Sequence, residues 1–164
     1  MTEQSRLAAP APLDRTHDFA GFSSGVASLD DWLRRRAHPN QASGASRTYV
    51  VAEGLRVIAY YCLASGAISL NEAPPKLRRN MPDPLPVAVL GRFAVDAGWQ
   101  GKGLGVALLR DAVLRSAQAG RIIGIRGIMV HALSDEAKAF YEHHGFVESP
   151  ANPRTLLLSL KMPE

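Results

Sequence analysis

The sequence predicts a mixed α/β fold: a central sheet with helices packed on it. Three observations carry this. Runs rich in Val, Ile and Tyr alternate with stretches of helical periodicity. Two early β runs, Arg47–Ala52 and Val57–Ala64, are separated only by Glu53-Gly54-Leu55-Arg56 and read as a hairpin. The apolar run Val87–Val95 passes through a sharp turn into a glycine-rich loop and then a long helical pattern, as a central strand followed by its helix would.

In chain order, residues 1–13 are rich in Ala and Pro and read as a loose lead-in. Ser28–Ala37 reads as a short helix with Ser28 as its N-cap, acids in the first turn and arginines in the last. Leu29, Trp32 and Leu33 form its apolar side, and Arg34–Arg36 is either a solvated helix end or part of a surface for a polyanion. After the hairpin, Asn71–Pro86 holds Pro74, Pro75, Pro82, Pro84 and Pro86 and is expected to be irregular. It also carries Lys76, Arg78 and Arg79, so it is either a solvated linker or a substrate-side loop. Asp96, Ala97 and Gly98 end the central strand. Val106–Ala119 is helical, with Arg110, Asp111, Arg115 and Gln118 on one arc. Ile122–His131 reads as a further strand. Asp135–His144 is a helix capped by Ser134, with Gly145 as the residue after its end. Pro150–Pro153 reads as a turn and Thr155–Lys161 as the last strand.

The loop Gln100-Gly101-Lys102-Gly103-Leu104-Gly105 places glycines at alternate positions before a helix start. Backbone amides and the helix dipole suit such a loop to an anion. The dinucleotide fingerprint is not met, because Leu108 stands where its third glycine belongs. Nor is the phosphate-binding P-loop, because the order here is Gly101-Lys102-Gly103. What fits is Q-x-x-G-x-G, on Gln100, Gly103 and Gly105.

Composition narrows the classes. The 164 residues are expected to form a single domain, 1–164, with a sizeable core. Hydrophobic residues at 46% and charged residues at 21% exclude a disordered chain. No run approaches the about 18 apolar residues of a membrane span. With no signal pattern at the start, a cytoplasmic protein without membrane contact is expected. Cys62 is the single cysteine and lies in an apolar run, so a buried, inert thiol is expected. The five histidines show no metal-ligand spacing, and no metal is expected. The net charge of +4 favours an anionic partner without choosing one.

A second motif joins the first. Ala137-x-x-Phe140-Tyr141-x-x-x-Gly145-Phe146 follows the glycine loop in the order seen in the Gcn5-related (GNAT) N-acetyltransferases. With Phe22–Arg36, Arg47–Val51, Leu90–Asp96, His131–Ala137 and Pro150–Leu157, the chain resembles the TacT-type GNAT toxins of bacterial toxin–antitoxin pairs along nearly its whole length. The resemblance implies a GNAT fold, with a mixed, mostly antiparallel sheet, flanking helices and a V-shaped split at the acetyl-CoA strand. It implies acetylation of the α-amino group of aminoacyl-tRNA, which stops translation. It implies neutralisation by a ribbon-helix-helix antitoxin, operator DNA binding through that complex only, and a homodimer.

The resemblance also distributes roles. The acetyl-CoA pyrophosphate would rest on Gln100, Gly101, Lys102, Gly103, Leu104 and Gly105, and the pantetheine arm along Phe93, Ala94 and Val95. Ser134, Lys138 and Phe140 would also face the donor. The Val95 amide would stabilise the oxyanion. Tyr141 would be the general acid, since a phenol titrating at about 10 stays protonated and can donate to a thiolate; read by itself, Tyr141 is equally a core aromatic. Arg92 is either a structural ion pair or a contact to the tRNA acceptor end, together with Lys76, Arg78, Arg79 and Arg36. From Leu90 to Val95 the only ionisable group is Arg92, so no carboxylate stands there as a base. An α-amine titrating at about 7.7–8.0 needs none, whereas a lysine side chain at about 10.4 would. Two other readings stand beside this one: a small-molecule or protein N-acetyltransferase on the same fold, and a non-catalytic acyl-CoA or RNA-binding module.

Overall fold

A computed structural model describes residues 7–160. Five helices and seven strands follow one another as β1 (Ala11–Pro12), α1 (Ala27–Arg35), α2 (Ala37–Ser43), β2 (Arg47–Glu53), β3 (Arg56–Ile68), α3 (Pro75–Arg78), β4 (Leu85–Val95), α4 (Leu104–Gly120), β5 (Gly127–His131), α5 (Asp135–His143), β6 (Val147–Ser149) and β7 (Asn152–Ser159). The strands are ordered β1-β2-β3-β4-β5-β7-β6 in one sheet. β1–β2, β2–β3, β5–β7 and β6–β7 are antiparallel, and β4–β5 is parallel. This is the mixed α/β class the sequence predicts, with the mostly antiparallel sheet that the resemblance implies.

The chain divides into two units: residues up to Ala64 with Arg92–Ala112, and Ser65–Gly91 with Val113 onward. The first unit is built on the hairpin β2–β3, whose turn carries Gly54 at a φ of +63°. Its core joins Leu13, Phe22, Leu29, Leu33, Ala37, Val50, Val57, Tyr60 and Ala94. Leu29 and Leu33 come from the apolar side of α1, as the periodicity requires. The cap differs from expectation. α1 starts at Ala27 after Val26, and Ser24 Oγ accepts the Val26 amide at 3.1 Å, so Ser28 caps nothing. Nor is the lead-in wholly loose. Ala11 and Pro12 pair with Val50 and Tyr49, and Leu13 is buried, while residues 1–6 lie outside the described residues. α2 was not foreseen. Its Pro39 lies in the first turn, where a missing N–H costs no helical hydrogen bond, and Gly44 ends it in the left-handed region at a φ of +79°.

The second unit packs Ile68, Ala73, Leu77, Leu85, Val87 and Leu157 together. The proline-rich stretch is more regular than expected. Leu70–Glu72 forms a 3-10 turn, and Pro75 opens the one-turn helix α3, again at a position that needs no donor. The run Ile122–His131 is a strand only from Gly127, because Ile122 and Ile123 are 85% and 56% exposed and precede the ladder. β4 begins earlier than expected, at Leu85. It pairs with β5 over Val87–Leu90 against Gly127–Val130 and runs on to Val95. The expected turn Pro150–Pro153 is shorter, since β7 already starts at Asn152. Lys161, placed in that strand by the sequence, lies outside the described residues. Cys62 is buried and forms no disulfide.

Candidate active site

In the first unit the end of β4 and the glycine loop are tied to one small turn, Phe22–Gly25. Asp96 follows β4 and is 6% exposed. Its carboxylate accepts the amides of Ser23 and Gly98, each at 3.0 Å, and so caps the 3-10 turn Ala97–Trp99. The Ala97 amide donates back to the Ser23 carbonyl at 2.8 Å. Gln100 then uses its side chain rather than presenting it. Nε2 donates to the carbonyls of Ser24 at 2.8 Å and Val95 at 2.9 Å. Ser24 is itself fixed by the buried Asp30, which accepts its amide at 3.0 Å and its hydroxyl at 2.6 Å. A chain of hydrogen bonds therefore runs from α1 through Ser24 and Gln100 to the last residue of the strand. A buried carboxylate needs such donors, and here they are backbone amides and a hydroxyl rather than a cation.

Beyond Gln100 the loop curls. Gly101 and Gly103 take φ values of +77° and +82°, which L-residues adopt only with strain. A Cβ on Gly101 would meet no protein atom within 4 Å, so its backbone conformation, not crowding, calls for glycine. α4 starts at Leu104; the Ala107 amide donates to the Gly103 carbonyl at 3.3 Å, and the three amides before it have no carbonyl one turn earlier in the helix. Alternating positive-φ residues that feed a helix start direct successive amides into one concavity, a fit for a pyrophosphate. Lys102 lies with Nζ 5.1 Å from the centre of the buried Trp99 ring, which seats a positive charge on the loop. On β4, Ala94 is buried while Phe93 and Val95 are half-buried.

In the second unit, Ser134 caps α5 as foreseen: its hydroxyl accepts the Ala137 amide at 3.0 Å. Gly145 leaves the helix at a φ of +95°. Tyr141, 6% exposed, packs edge-on against Phe140 at 5.5 Å and against Phe146 at 5.4 Å. Burial holds its hydroxyl above the ordinary tyrosine range, so the group is a proton donor and not a base at neutral pH. Phe140 is half-buried and also meets the His144 ring at 4.9 Å. Lys138 forms an ion pair with Glu148, which neutralises part of the charge the sequence offered for the donor.

The basic candidates fall into two groups. Lys76, Arg78 and Arg79 are all exposed on and just after α3, around the buried Leu77 that anchors it. In the first unit, Arg36 is exposed and donates to Asn40 at 3.1 Å, and Arg92 lies with its guanidinium carbon 5.6 Å from the centre of the Trp32 ring. Arg34, the first of the early basic run, is a structural tie that donates to the Phe22 carbonyl. The residues that sequence reasoning missed are Asp30, Asp96 and Ser24. Asp96 followed two residues later by Gly98 is a local turn-capping signal, but its bond to Ser23 is not local. Among the described residues no helix is long and apolar enough to cross a membrane, and no group of three or more His, Cys, Asp or Glu is placed to hold a metal ion.

The family model of the acetyltransferase (GNAT) domain matches residues 44–148. A tRNA-acetylating toxin of Mycobacterium tuberculosis is 50% identical over 157 residues, which is 96% of this chain and 95% of that protein. Solved structures agree. AtaT complexed with acetyl-methionyl-tRNAfMet is 26% identical with a TM-score of 0.87, covering 93% of this chain and 94% of that one. AtaTR bound with AcCoA is 26% identical with a TM-score of 0.81, covering 94% of each. An AtaT–AtaR complex with bound DNA is 25% identical with a TM-score of 0.76, covering 93% and 95%. With a strand, a braced glycine loop and a capped helix carrying Phe140-Tyr141 each built as the motifs require, the chain belongs to the GNAT acetyltransferase family.

Proposed function

We propose that this chain transfers the acetyl group of acetyl-CoA to the α-amino group of aminoacyl-tRNA, and thereby blocks translation as the toxin of a toxin–antitoxin pair. The observation that carries the acceptor half is the likeness to a tRNA-acetylating toxin along 96% of the chain. The donor half is supported by the curled Gly101–Gly103 loop opening α4 and by a neighbour's binding of AcCoA.

The neutral α-amine attacks the thioester carbon, a C–N bond forms, and the carbonyl electrons move to oxygen, where the Val95 amide is assigned to receive them. The C–S bond then breaks. The thiolate takes a proton from Tyr141, the ammonium nitrogen loses one to water, and Tyr141 is reprotonated from solvent. The backbone amides of Gln100–Gly105 hold the pyrophosphate with Lys102 as added charge while the Gln100 side chain braces the loop, and Phe93–Val95 is the edge for pantetheine. Ser134, Lys138 and Phe140 are assigned to the donor, Lys138 within its ion pair with Glu148. Lys76, Arg78, Arg79, Arg92 and Arg36 grip phosphates at the tRNA acceptor end, which positions RNA without reading its sequence. We assign the protein to the cytoplasm, where charged tRNA is found, as a homodimer. Its partner is a ribbon-helix-helix antitoxin, and it reaches operator DNA only within that complex; a neighbour's DNA-bound toxin–antitoxin assembly supports this.

The test incubates the purified chain with radiolabelled acetyl-CoA and a charged tRNA pool, beside free amino acids and a basic peptide. Label in charged tRNA alone, reduced about 10²–10⁴-fold by Tyr141→Phe with acetyl-CoA affinity intact, is the expected result. Label in peptide or free amines with none in tRNA would refute it.

A further inference from the structure

Trp32 lies on the apolar side of α1, yet it is only half-buried, unlike Leu29 and Leu33. Its indole meets two side chains from the sheet. Tyr60 is fully buried, its ring parallel to the indole within 2° at a centroid distance of 6.0 Å. Tyr60 is itself pinned, because its hydroxyl donates to the Leu29 carbonyl at 2.6 Å and Phe22 meets its ring edge-on at 5.6 Å. The exposed Arg92 lies over the indole with its guanidinium carbon 5.6 Å from the ring centre. Strand alternation puts Arg92 on the face of β4 shared by Ala94, which belongs to the same core as Tyr60. The phenol is buried, the indole half-buried and the cation exposed.

A tryptophan needed only to close the core would require no cation above it. An arginine on an indole face keeps its charge, is restricted to a plane, and still presents its fork of N–H donors outward. That is the chemistry that engages single-stranded RNA: base faces stack on guanidinium planes, and phosphates accept its paired donors. We propose that Trp32 is a positioning residue for the acceptor substrate, holding the Arg92 guanidinium as the plane on which the single-stranded acceptor end of aminoacyl-tRNA docks. This rests on the aminoacyl-tRNA reading above.

The test uses the full chain with Trp32→Leu, Trp32→Phe, Arg92→Ala and the Trp32→Leu/Arg92→Ala double variant. KM and kcat are measured on charged tRNA, and acetyl-CoA affinity by calorimetry. Trp32→Leu is expected to raise the tRNA KM by about fivefold or more, with kcat and acetyl-CoA affinity little changed. Trp32→Phe keeps an aromatic face and most of the affinity. On the Arg92→Ala background, Trp32→Leu adds little, because the cation it positions is gone. An unchanged tRNA KM in Trp32→Leu overturns the inference. So do acetyl-CoA affinity falling in step with tRNA affinity, and single-variant effects that multiply in the double variant. An unaltered chain that leaves charged tRNA unlabelled overturns the tRNA reading and this inference with it; labelled tRNA combined with any of the three preceding results overturns this inference alone.

Discussion

Gln100 offers the sharpest test of how the donor loop is held. Its side chain makes two hydrogen bonds, to Ser24 O at 2.8 Å and Val95 O at 2.9 Å, and it is otherwise exposed. At such a site each bond contributes about 0.5–1 kcal/mol, so Gln100→Ala removes about 1–2 kcal/mol of loop order. If the loop then orders only on binding, that loss reappears in acetyl-CoA affinity as an increase in Kd of about 5–30-fold. Gln100→Glu separates bracing from bulk. A carboxylate fills the same space, donates nothing, and faces two carbonyl oxygens and an anionic ligand, so its Kd is expected to exceed that of Gln100→Ala. The assay is calorimetric titration with acetyl-CoA at fixed ionic strength, with melting curves to confirm folding. A Kd within about twofold of the unaltered chain for both variants would show that the loop needs no brace and refute the reasoning.

Further expectations concern the core, the basic loop and pH. A Cβ on Gly127 would sit 2.9 Å from the Leu158 carbonyl oxygen and 2.9 Å from a Leu77 methyl, so Gly127→Ala is expected to cost about 1–3 kcal/mol in urea unfolding; an unchanged midpoint contradicts the packing described. Replacing Arg78 and Arg79 together by Glu reverses two exposed charges beside the buried Leu77. It is expected to raise the tRNA KM by about tenfold or more and flatten its salt dependence by about one unit per lost phosphate contact, with acetyl-CoA affinity intact. Equal tRNA use by that variant would remove α3 from the RNA surface. Burial raises both Tyr60 and Tyr141 above the ordinary tyrosine value of about 10. The unfolded chain therefore releases these protons first as pH rises. Their contribution to stability is complete below about pH 10 and declines above it. Tyr141→Phe should make that alkaline decline shallower in unfolding curves; an identical decline would mean the phenol is not buried as described.

Local patterns were legible because they are satisfied locally. The hairpin β2–β3 needs only β-branched runs around Gly54; α5 needs Ser134 before it and Gly145 after it. The glycine loop could be read because Gly101 and Gly103 answer to their own φ. Periodicity misled where burial, rather than residue type, decides. Ile122 and Ile123 look like strand, yet they are exposed and the ladder starts at Gly127. Pro75 and Pro39 look like breakers, yet each occupies a first turn, where no donor is missed.

The α/β class, the strand–loop–helix unit around Gln100–Gly105 and the capped helix that carries Tyr141 follow from local sequence, since each depends on neighbours within a few positions. What holds them comes from contacts between distant residues. Asp96 reaches back to Ser23, Gln100 to Ser24, and Arg92 to Trp32, pairs far apart in the chain. A carboxylate, an amide or a guanidinium in a sequence declares which bonds it can make. Which partner it meets is set by the hairpin and α1 closing over one core, and no local spacing encodes that closure.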